Sequence, residues 1–110
     1  MNIINYQEEI RAYFGYWPMF CDGQIVSFSG NGDAIEIEIN YIDTDKALGA
    51  LVRIEFLGVS EVDLSEYVSN SVIDTMRILS SSFHWVSIES CYGLEGIFKC
   101  TQIRAYIVNE

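Results

Sequence analysis

Two glutamates in a strictly alternating segment have the spacing of an acid–base pair. In AIEIEINYID, residues 34–43, apolar and polar residues take opposite parities, which predicts a strand whose outer face carries Glu36 and Glu38. The rise of a strand separates these carboxylates by about 7 Å, within the range of about 5–10 Å that paired-carboxylate hydrolases use. Any solvated strand face gives this spacing, so three interpretations stay open: a solubilising surface, a catalytic or metal-binding pair, or the contact surface of a basic partner.

The single histidine and the three cysteines are the other residues whose types could do chemistry. His84 follows three serines, 80–82, but no nucleophile elbow surrounds them and the segment has the pattern of a strand. Cys21, Cys91 and Cys100 have, with His84, the composition of a zinc site but not its C-x-x-C spacing, so we expect free thiols. Because phosphate-binding, calcium-binding and dinucleotide-binding motifs are also missing, the sequence predicts no catalytic site, no metal and no cofactor.

Length and charge restrict the class of protein. A chain of 110 residues, half of them hydrophobic, is expected to fold as one domain over residues 1–110. Sixteen acidic and six basic residues give a net charge of −10, which repels nucleic acids and anionic membranes and favours cations or a basic protein partner. The acidity also fits a surface that only aids solubility. Because the sequence has no secretory signal, membrane-spanning run or close cysteine pair, we expect a cytoplasmic protein.

The elements that must position these residues are mostly strands. Helical spacing at residues 4–14 predicts one short N-terminal helix, and Asn31-Gly32 between two alternating segments predicts a tight hairpin. Residues 60–70 fit a short strand or a loop with a helical turn, and residues 71–81 fit a strand or a helix, of which the β context favours the strand. The predicted strands cover residues 24–30, 34–42, 50–59, 71–81, 83–90 and 96–109. We therefore expect an α+β, mainly β fold, with an antiparallel sheet of five to seven strands and one short N-terminal helix.

Two stretches of the chain resemble motifs of a known family. FGYWPMFCDGQIVSF, residues 14–28, is similar to the W-P-x-F-H-D-A/G motif of the immunity protein 50 family, and ESCYGLEGIFKCTQIRAYIV, residues 89–108, is similar to that family's closing S-Y-G-L-x-G-x-F-x-C stretch. This chain has Cys21 where the family tends to have histidine. We expect the first motif to be structural and to anchor the loop between the helix and the first strand on the core. The motif positions are Trp17, Pro18, Phe20, Cys21, Asp22, Tyr92, Gly93 and Gly96.

The resemblance implies a bacterial cytoplasmic protein that binds and neutralises a toxin encoded beside it. Such a toxin, if basic, would give the acidic strand face a purpose, with Tyr or Trp anchors adding affinity. Two alternatives remain: a small acidic ligand-binding or housekeeping β-domain, and a hydrolase with paired carboxylates. Exposed strand edges would also permit a homodimer. The candidate partner-binding residues are Glu36, Glu38, Asp43, Asp45, Glu55, Tyr67 and Tyr92.

Overall fold

Eight antiparallel strands follow one short helix in the computed structural model, which describes residues 5–108. A 3-10 turn, Asn5–Gln7, leads into α1, Glu8–Phe14. The strands are β1 Gln24–Asn31, β2 Ala34–Asp43, β3 Leu48–Leu57, β4 Ser60–Leu64, β5 Ser71–Ser80, β6 His84–Tyr92, β7 Gly96–Cys100 and β8 Gln102–Ile107. They form one open sheet in the order β4-β7-β6-β5-β1-β2-β3-β8.

The predicted class is confirmed, but the predicted number of strands is wrong. The fold is mainly β and antiparallel with a short N-terminal helix, as expected, yet the sheet has eight strands where five to seven were predicted. The predicted strand at residues 96–109 is divided at Thr101, whose N–H donates to the carbonyl of Leu57 at 3.0 Å. This bend lets β7 pair with β6 and β8 pair with β3. Residue 4 of the predicted helix and residue 109 of the predicted strand lie outside the described residues.

Two register shifts explain why residues 71–81 were ambiguous in sequence. The segment is the strand β5, which confirms the favoured interpretation. Its pairing with β6 is interrupted between Val72 and Ile73 and again between Ile73 and Thr75. The second shift inserts one extra residue, Asp74, into β5 and so changes which parity of β5 faces the core. Ile73 and Met76 are therefore both buried, although an uninterrupted strand would place them on opposite faces.

The sheet folds over a single core, so that its two halves pack face to face. The rings of Phe56 on β3 and Phe98 on β7 lie 5.0 Å apart, although four strands separate β3 from β7 in the sheet order. β1 joins the halves by a short pairing with β5 that starts at Gln24 and Ile25. The helix adds Ile10 to the same core. The outer faces of both halves are therefore left to solvent, and no helix within residues 5–108 is long and apolar enough to cross a membrane.

Candidate functional site

The outer face of β2, β3 and β8 gathers six charged or hydroxyl side chains. Register places Glu36 of β2 opposite Glu55 of β3, which lies opposite Arg104 of β8. The next row aligns Glu38, Arg53 and Tyr106 in the same way. Cross-strand neighbours of this kind have Cβ atoms about 5 Å apart, so the two rows form one connected surface. We call this surface the outer charged face and define it as Glu36, Glu38, Arg53, Glu55, Arg104 and Tyr106.

Arg53 is the centre of the hydrogen bonding on this face. Its Nη2 and Nε donate to Oε2 of Glu38 at 2.5 and 2.7 Å, and its Nη1 donates to the hydroxyl of Tyr106 at 3.3 Å. The Tyr106 hydroxyl in turn donates to Oε2 of Glu55 at 2.7 Å. These partners, Tyr106 first and Glu38 second, raise the pKa of the Arg53 guanidinium above its usual value. The face is thus held in a fixed arrangement by charge-assisted bonds.

Arginines on the two neighbouring strands partly neutralise the glutamates of this face. Arg53 neutralises Glu38, and Arg104 lies 3.6 Å from Oε1 of Glu55. Three carboxylates and two guanidiniums leave a formal charge of −1 on the outer charged face. The acidity of the chain is therefore not concentrated there.

Glu36 is the carboxylate on this face that retains capacity for an external cation. Its closest cation is Nε of Arg53 at 3.9 Å, and its side chain is 41% exposed. It faces Glu55, and like charges directly opposite each other across a sheet are destabilising, by about 0.2–1 kcal/mol. Both carboxylates line a small cleft of about 190 Å³ near the β1–β2 hairpin. A cation entering this cleft would relieve their repulsion.

Asp43 does not lie on an exposed surface as predicted. It ends β2, is 8% exposed, and accepts hydrogen bonds from the Tyr16 hydroxyl at 2.7 Å and the Lys46 amide at 3.1 Å. The Tyr16 bond is the main reason that the pKa of Asp43 is lowered from its usual value, against the opposing effect of desolvation. Hydrogen bonding to Tyr41, burial and Asp43 together raise the pKa of Tyr16. The carboxylate is therefore engaged within the fold.

These groups line a polar cleft of about 420 Å³ at the end of β2. Asp45 is exposed there, and the hydroxyls of Tyr16 and Tyr41 lie 2.9 Å apart. The amine of Lys46 donates to the carbonyl of Phe14 at 2.6 Å, which ties the β2–β3 turn to the helix. Glu36 is seven residues away along β2, about 23 Å by strand rise. This cleft and the outer charged face are separate sites.

We expect Asp43→Asn to change how stability depends on pH. Because the folded-state pKa of Asp43 is lowered, its ionised form stabilises the fold above the ordinary value of 3.8, and this contribution is lost as the pH falls through the folded-state pKa. At neutral pH the variant should melt below the parent, and the gap should close in acid. Thermal unfolding across pH measures this, with the exposed Asp45→Asn as the matched control. A gap that stayed constant into acid would contradict the assigned role.

Tyr67 and Tyr92 do not join the outer charged face. Tyr67, a candidate partner-binding residue, is half-buried: its ring stacks on Phe28 at 5.6 Å and its hydroxyl donates to the carbonyl of Ile25 at 3.1 Å. Phe28 lies opposite Ile37, a core residue, so Tyr67 contacts the face of the sheet that is turned away from the glutamates. Tyr92 is 56% exposed but belongs to β6, in the other half of the sheet. The seven candidate residues therefore do not form one surface.

The first motif divides into buried and exposed positions. Pro18 and Phe20 are buried, and the ring of Phe20 contacts Trp17 and Tyr41, each with centroids 5.5 Å apart. The next two positions of the motif, Cys21 and Asp22, are exposed. The amide of Asp22 donates a 2.8 Å hydrogen bond to a carbonyl of β5, which fixes its backbone.

Two glycines of the second motif occupy conformations that exclude a side chain. Gly93 has φ +97° and Gly96 has φ +141°. A Cβ at Gly93 would overlap the hydroxyl oxygen of Ser71, and one at Gly96 would overlap the carbonyl oxygen of Asp63. The backbone geometry by itself accounts for glycine at both positions.

The histidine and the cysteines do not assemble into a site. His84 is buried, Nδ1 lies 2.6 Å from the Ser80 hydroxyl, and burial lowers the pKa of its ring. Burial also raises the pKa of the Cys100 thiol to about 11. Cys21 and Cys91 are exposed. Within residues 5–108, no three His, Cys, Asp or Glu side chains are placed to hold a metal ion.

Sequence reasoning missed the partners that fix the glutamates. The parity of the third predicted strand places Arg53 and Glu55 on one face, and this could be predicted from the sequence. The identity of the strand that pairs with it could not be predicted. Arg104 and Tyr106 reach this face only because β8 pairs with β3, about 50 residues earlier in the chain. The alternation of QIRAYI, residues 102–107, could have indicated that Arg104 and Tyr106 share the polar face of a strand.

Comparisons with known proteins add no relative to this description. The chain matches no protein-family model, and no curated protein or solved structure matches it. The resemblance to the immunity protein 50 family, based on residues 14–28 and 89–108, therefore stays a prediction.

Proposed function

We propose that this protein is a cytoplasmic immunity protein that neutralises a cognate bacterial toxin by stoichiometric binding, without turnover. The observation that carries the proposal is Glu36, an incompletely neutralised carboxylate that faces Glu55 across an open cleft. The two motif resemblances support the same function. The partner surface is proposed to be basic, since the chain has a net charge of −10.

A basic side chain of the toxin would fit between the two opposed carboxylates. Tyr106 donates a hydrogen bond to Glu55 and Arg104 lies beside it, so one of the two opposed carboxylates is positioned before binding. Preorganisation of this kind reduces the ordering cost of association. Coupling energies of about 1.5–7 kcal/mol are measured for close charge pairs across interfaces. One lysine or arginine at this cleft would therefore contribute substantially to affinity.

The remaining acidity would act mainly on the rate of association. Opposite charge raises association rates to about 10⁸–10⁹ M⁻¹s⁻¹ at low salt, and salt screens this effect within about 8–10 Å. The exposed aromatic ring of Tyr92 lies in the other half of the sheet and is available as an apolar anchor for a large partner. We therefore expect complex formation to depend on salt more strongly in its rate than in its lifetime.

Charge reversal at Glu36 tests the proposal. The protein is co-expressed with the product of the neighbouring gene, and the complex is purified at low and high salt. Glu36→Lys should weaken the complex by about 100-fold, because juxtaposed like charges cost several kcal/mol. Glu38 is a poor choice for reversal, because it accepts the direct hydrogen bonds of Arg53, whereas Glu36 accepts none within the described part of the chain and a lysine there would face Glu55. The matched control is Glu89→Lys, which reverses an exposed carboxylate on β6.

The outcomes separate the parts of the proposal. A one-to-one complex that rescues growth, is lost in Glu36→Lys and is kept in Glu89→Lys supports immunity through this face. A complex that is equally strong in both variants refutes the role of Glu36 and leaves immunity standing. If no complex forms and growth is not rescued, the alternative of a small ligand-binding β-domain gains weight. Its site would be the 420 Å³ cleft beside Asp43, which is within the size range of ligand pockets.

A further inference from the structure

The two edges of the sheet are protected to different degrees. The β4 edge is short, its pairing with β7 shifts register between Ser60 and Asp63, and Glu61 has a left-handed φ of +51°. Short length, bulges and charged residues are the features by which proteins block pairing at an edge. The β8 edge pairs with β3 over six consecutive residues without any register shift. β8 is therefore the regular edge of the sheet.

Hydrogen-bond directions identify which groups of β8 face outward. The amide of Val108 donates to Leu51 of β3, whereas the amide of Ile107 donates away from β3, to Oε2 of Glu9 at 2.9 Å. Because backbone groups alternate along a strand, Ile103, Ala105 and Ile107 present their N–H and C=O groups to the free edge. Within residues 5–108, the amides of Ile103 and Ala105 have no backbone or side-chain acceptor on that side.

A groove runs along this edge and has an acidic wall. It has a volume of about 640 Å³, and one side is formed by β8 from Ile103 to Ile107. The other side includes Tyr6, Glu8 and Glu9 of the helical segment. The one basic side chain in the lining, Arg104, is directed to Glu55 of β3 at 3.6 Å. The groove therefore combines unpaired backbone groups with two carboxylates.

We propose that the free edge of β8 accepts an extended basic segment of the protein partner as a ninth antiparallel or parallel strand. This inference rests on the proposed function in one respect, that the segment belongs to the toxin. The incoming carbonyl replaces the Glu9 carboxylate as acceptor for the Ile107 amide. Glu9 is then free, with Glu8, to bind lysine or arginine side chains of the segment. Main-chain hydrogen bonds supply affinity in this mode of recognition, and alternate side chains supply specificity.

Charge favours this occupant over a second copy of the same chain. Pairing of β8 with β8 would bring together two chains of charge −10, with Glu8 and Glu9 of both copies beside the shared edge. Self-repulsion of this kind opposes association. A basic segment meets the same groove with opposite charge.

Amide hydrogen exchange with a synthetic probe tests the inference without any toxin. The probe is a peptide of about eight alternating lysine and valine residues, and the matched control alternates glutamate and valine. The lysine peptide should slow exchange at Ile103 and Ala105 by about tenfold or more, because both amides become hydrogen-bonded. The glutamate peptide should leave them unchanged. Equal protection by both peptides, or binding without protection at these amides, overturns the inference.

Ala105→Pro provides the second variant. Proline is tolerated at an edge position whose N–H faces outward, so the variant should fold and melt within about 5 °C of the parent. Its ring removes the central donor and fills the edge, so protection of Ile103 by the lysine peptide should be lost. Protection that persists overturns the inference, as does protection of the free protein that rises with its own concentration, which would identify a second copy as the occupant. The neighbouring-gene complex and Glu36→Lys test the proposed function separately, so either proposal can fail alone.

Discussion

Phe20→Ala is expected to lower the free energy of unfolding by about 3–5 kcal/mol, the range for removing a fully buried aromatic side chain. Phe20 is completely buried, and its ring contacts Trp17 and Tyr41 in edge-on geometry. The substitution removes these contacts and leaves a cavity between the loop and β2. A domain of this size has a total stability of about 5–15 kcal/mol, so the variant should be close to unfolding at moderate temperature. Denaturant unfolding followed by tryptophan fluorescence measures the change.

Met19→Ala is the matched control for Phe20. Met19 precedes it in the same loop but is 48% exposed, so its truncation should change stability by about 0.5 kcal/mol or less. Its carbonyl still accepts the Met76 amide in the variant, because that bond uses the backbone. Equal stability of the two variants would contradict the view that Phe20 anchors the loop. It would also remove the physical reason for the first motif.

Gly96→Ala is expected to destabilise the protein by at least about 3 kcal/mol, since backbone conformations reserved for glycine cost about 1–3 kcal/mol and a steric overlap adds to this. Gly96 has φ +141°, and its Cβ would overlap the carbonyl oxygen of Asp63 on the neighbouring strand. Backbone atoms cannot rotate away, so β4 would have to move off β7. Thermal unfolding should show a fall of about 10–20 °C.

Gly30→Ala is the control for Gly96, because it adds the same methyl group to another strand glycine. Nothing lies within 4 Å of a Cβ at Gly30, and its residue is exposed on β1. The added side chain reduces the conformational freedom of the unfolded chain, so stability should stay the same or rise by up to about 1 kcal/mol. A variant Gly96→Ala that melted like Gly30→Ala would refute the close approach of β4 and β7.

Local pattern predicted the parts of the fold that depend on neighbouring residues in sequence. The alternation of residues 34–43 corresponds to β2, with Ile35, Ile37 and Ile39 buried as expected. The hairpin predicted at Asn31-Gly32 joins β1 to β2, although its two turn residues are Gly32 and Asp33, and glycine readily adopts the positive φ of +63° found at the first of them. In both cases the periodicity of apolar residues, or one turn residue, is enough to predict the element.

Pairing between distant strands was not predictable from the same signals. Thr101 lies in an uninterrupted β-rich segment, yet the chain bends there, because its two neighbouring strands pair with different halves of the sheet. The two register shifts between β5 and β6 likewise leave no turn residue to mark them. No local propensity encodes which strand a residue will meet.

The candidate site shows the same division. Parity placed Glu36 and Glu38 on a solvent-facing side of β2, but their ion pairs are with Arg53 on β3, and that of Glu55 is with Arg104 on β8. Exposure failed as an expectation for Asp43 and Tyr67, whose side chains bond to groups distant in sequence. Asp43 is the clearest case, because the Tyr16 hydroxyl that covers it comes from the loop after the helix.

The pairing of β8 with β3 makes the outer charged face a late product of folding. Neighbouring strands such as β1 and β2 close short loops, whereas Arg104 must reach Glu55 across most of the second half of the chain. Pairing between distant strands loses the entropy of closing a long loop before its contacts form, so it forms slowly. Tyr106, which completes the hydrogen bonds of Arg53, arrives only with β8. A chain that is only partly folded therefore lacks the outer charged face, so the binding that we propose at this face would be coupled to cooperative completion of the sheet.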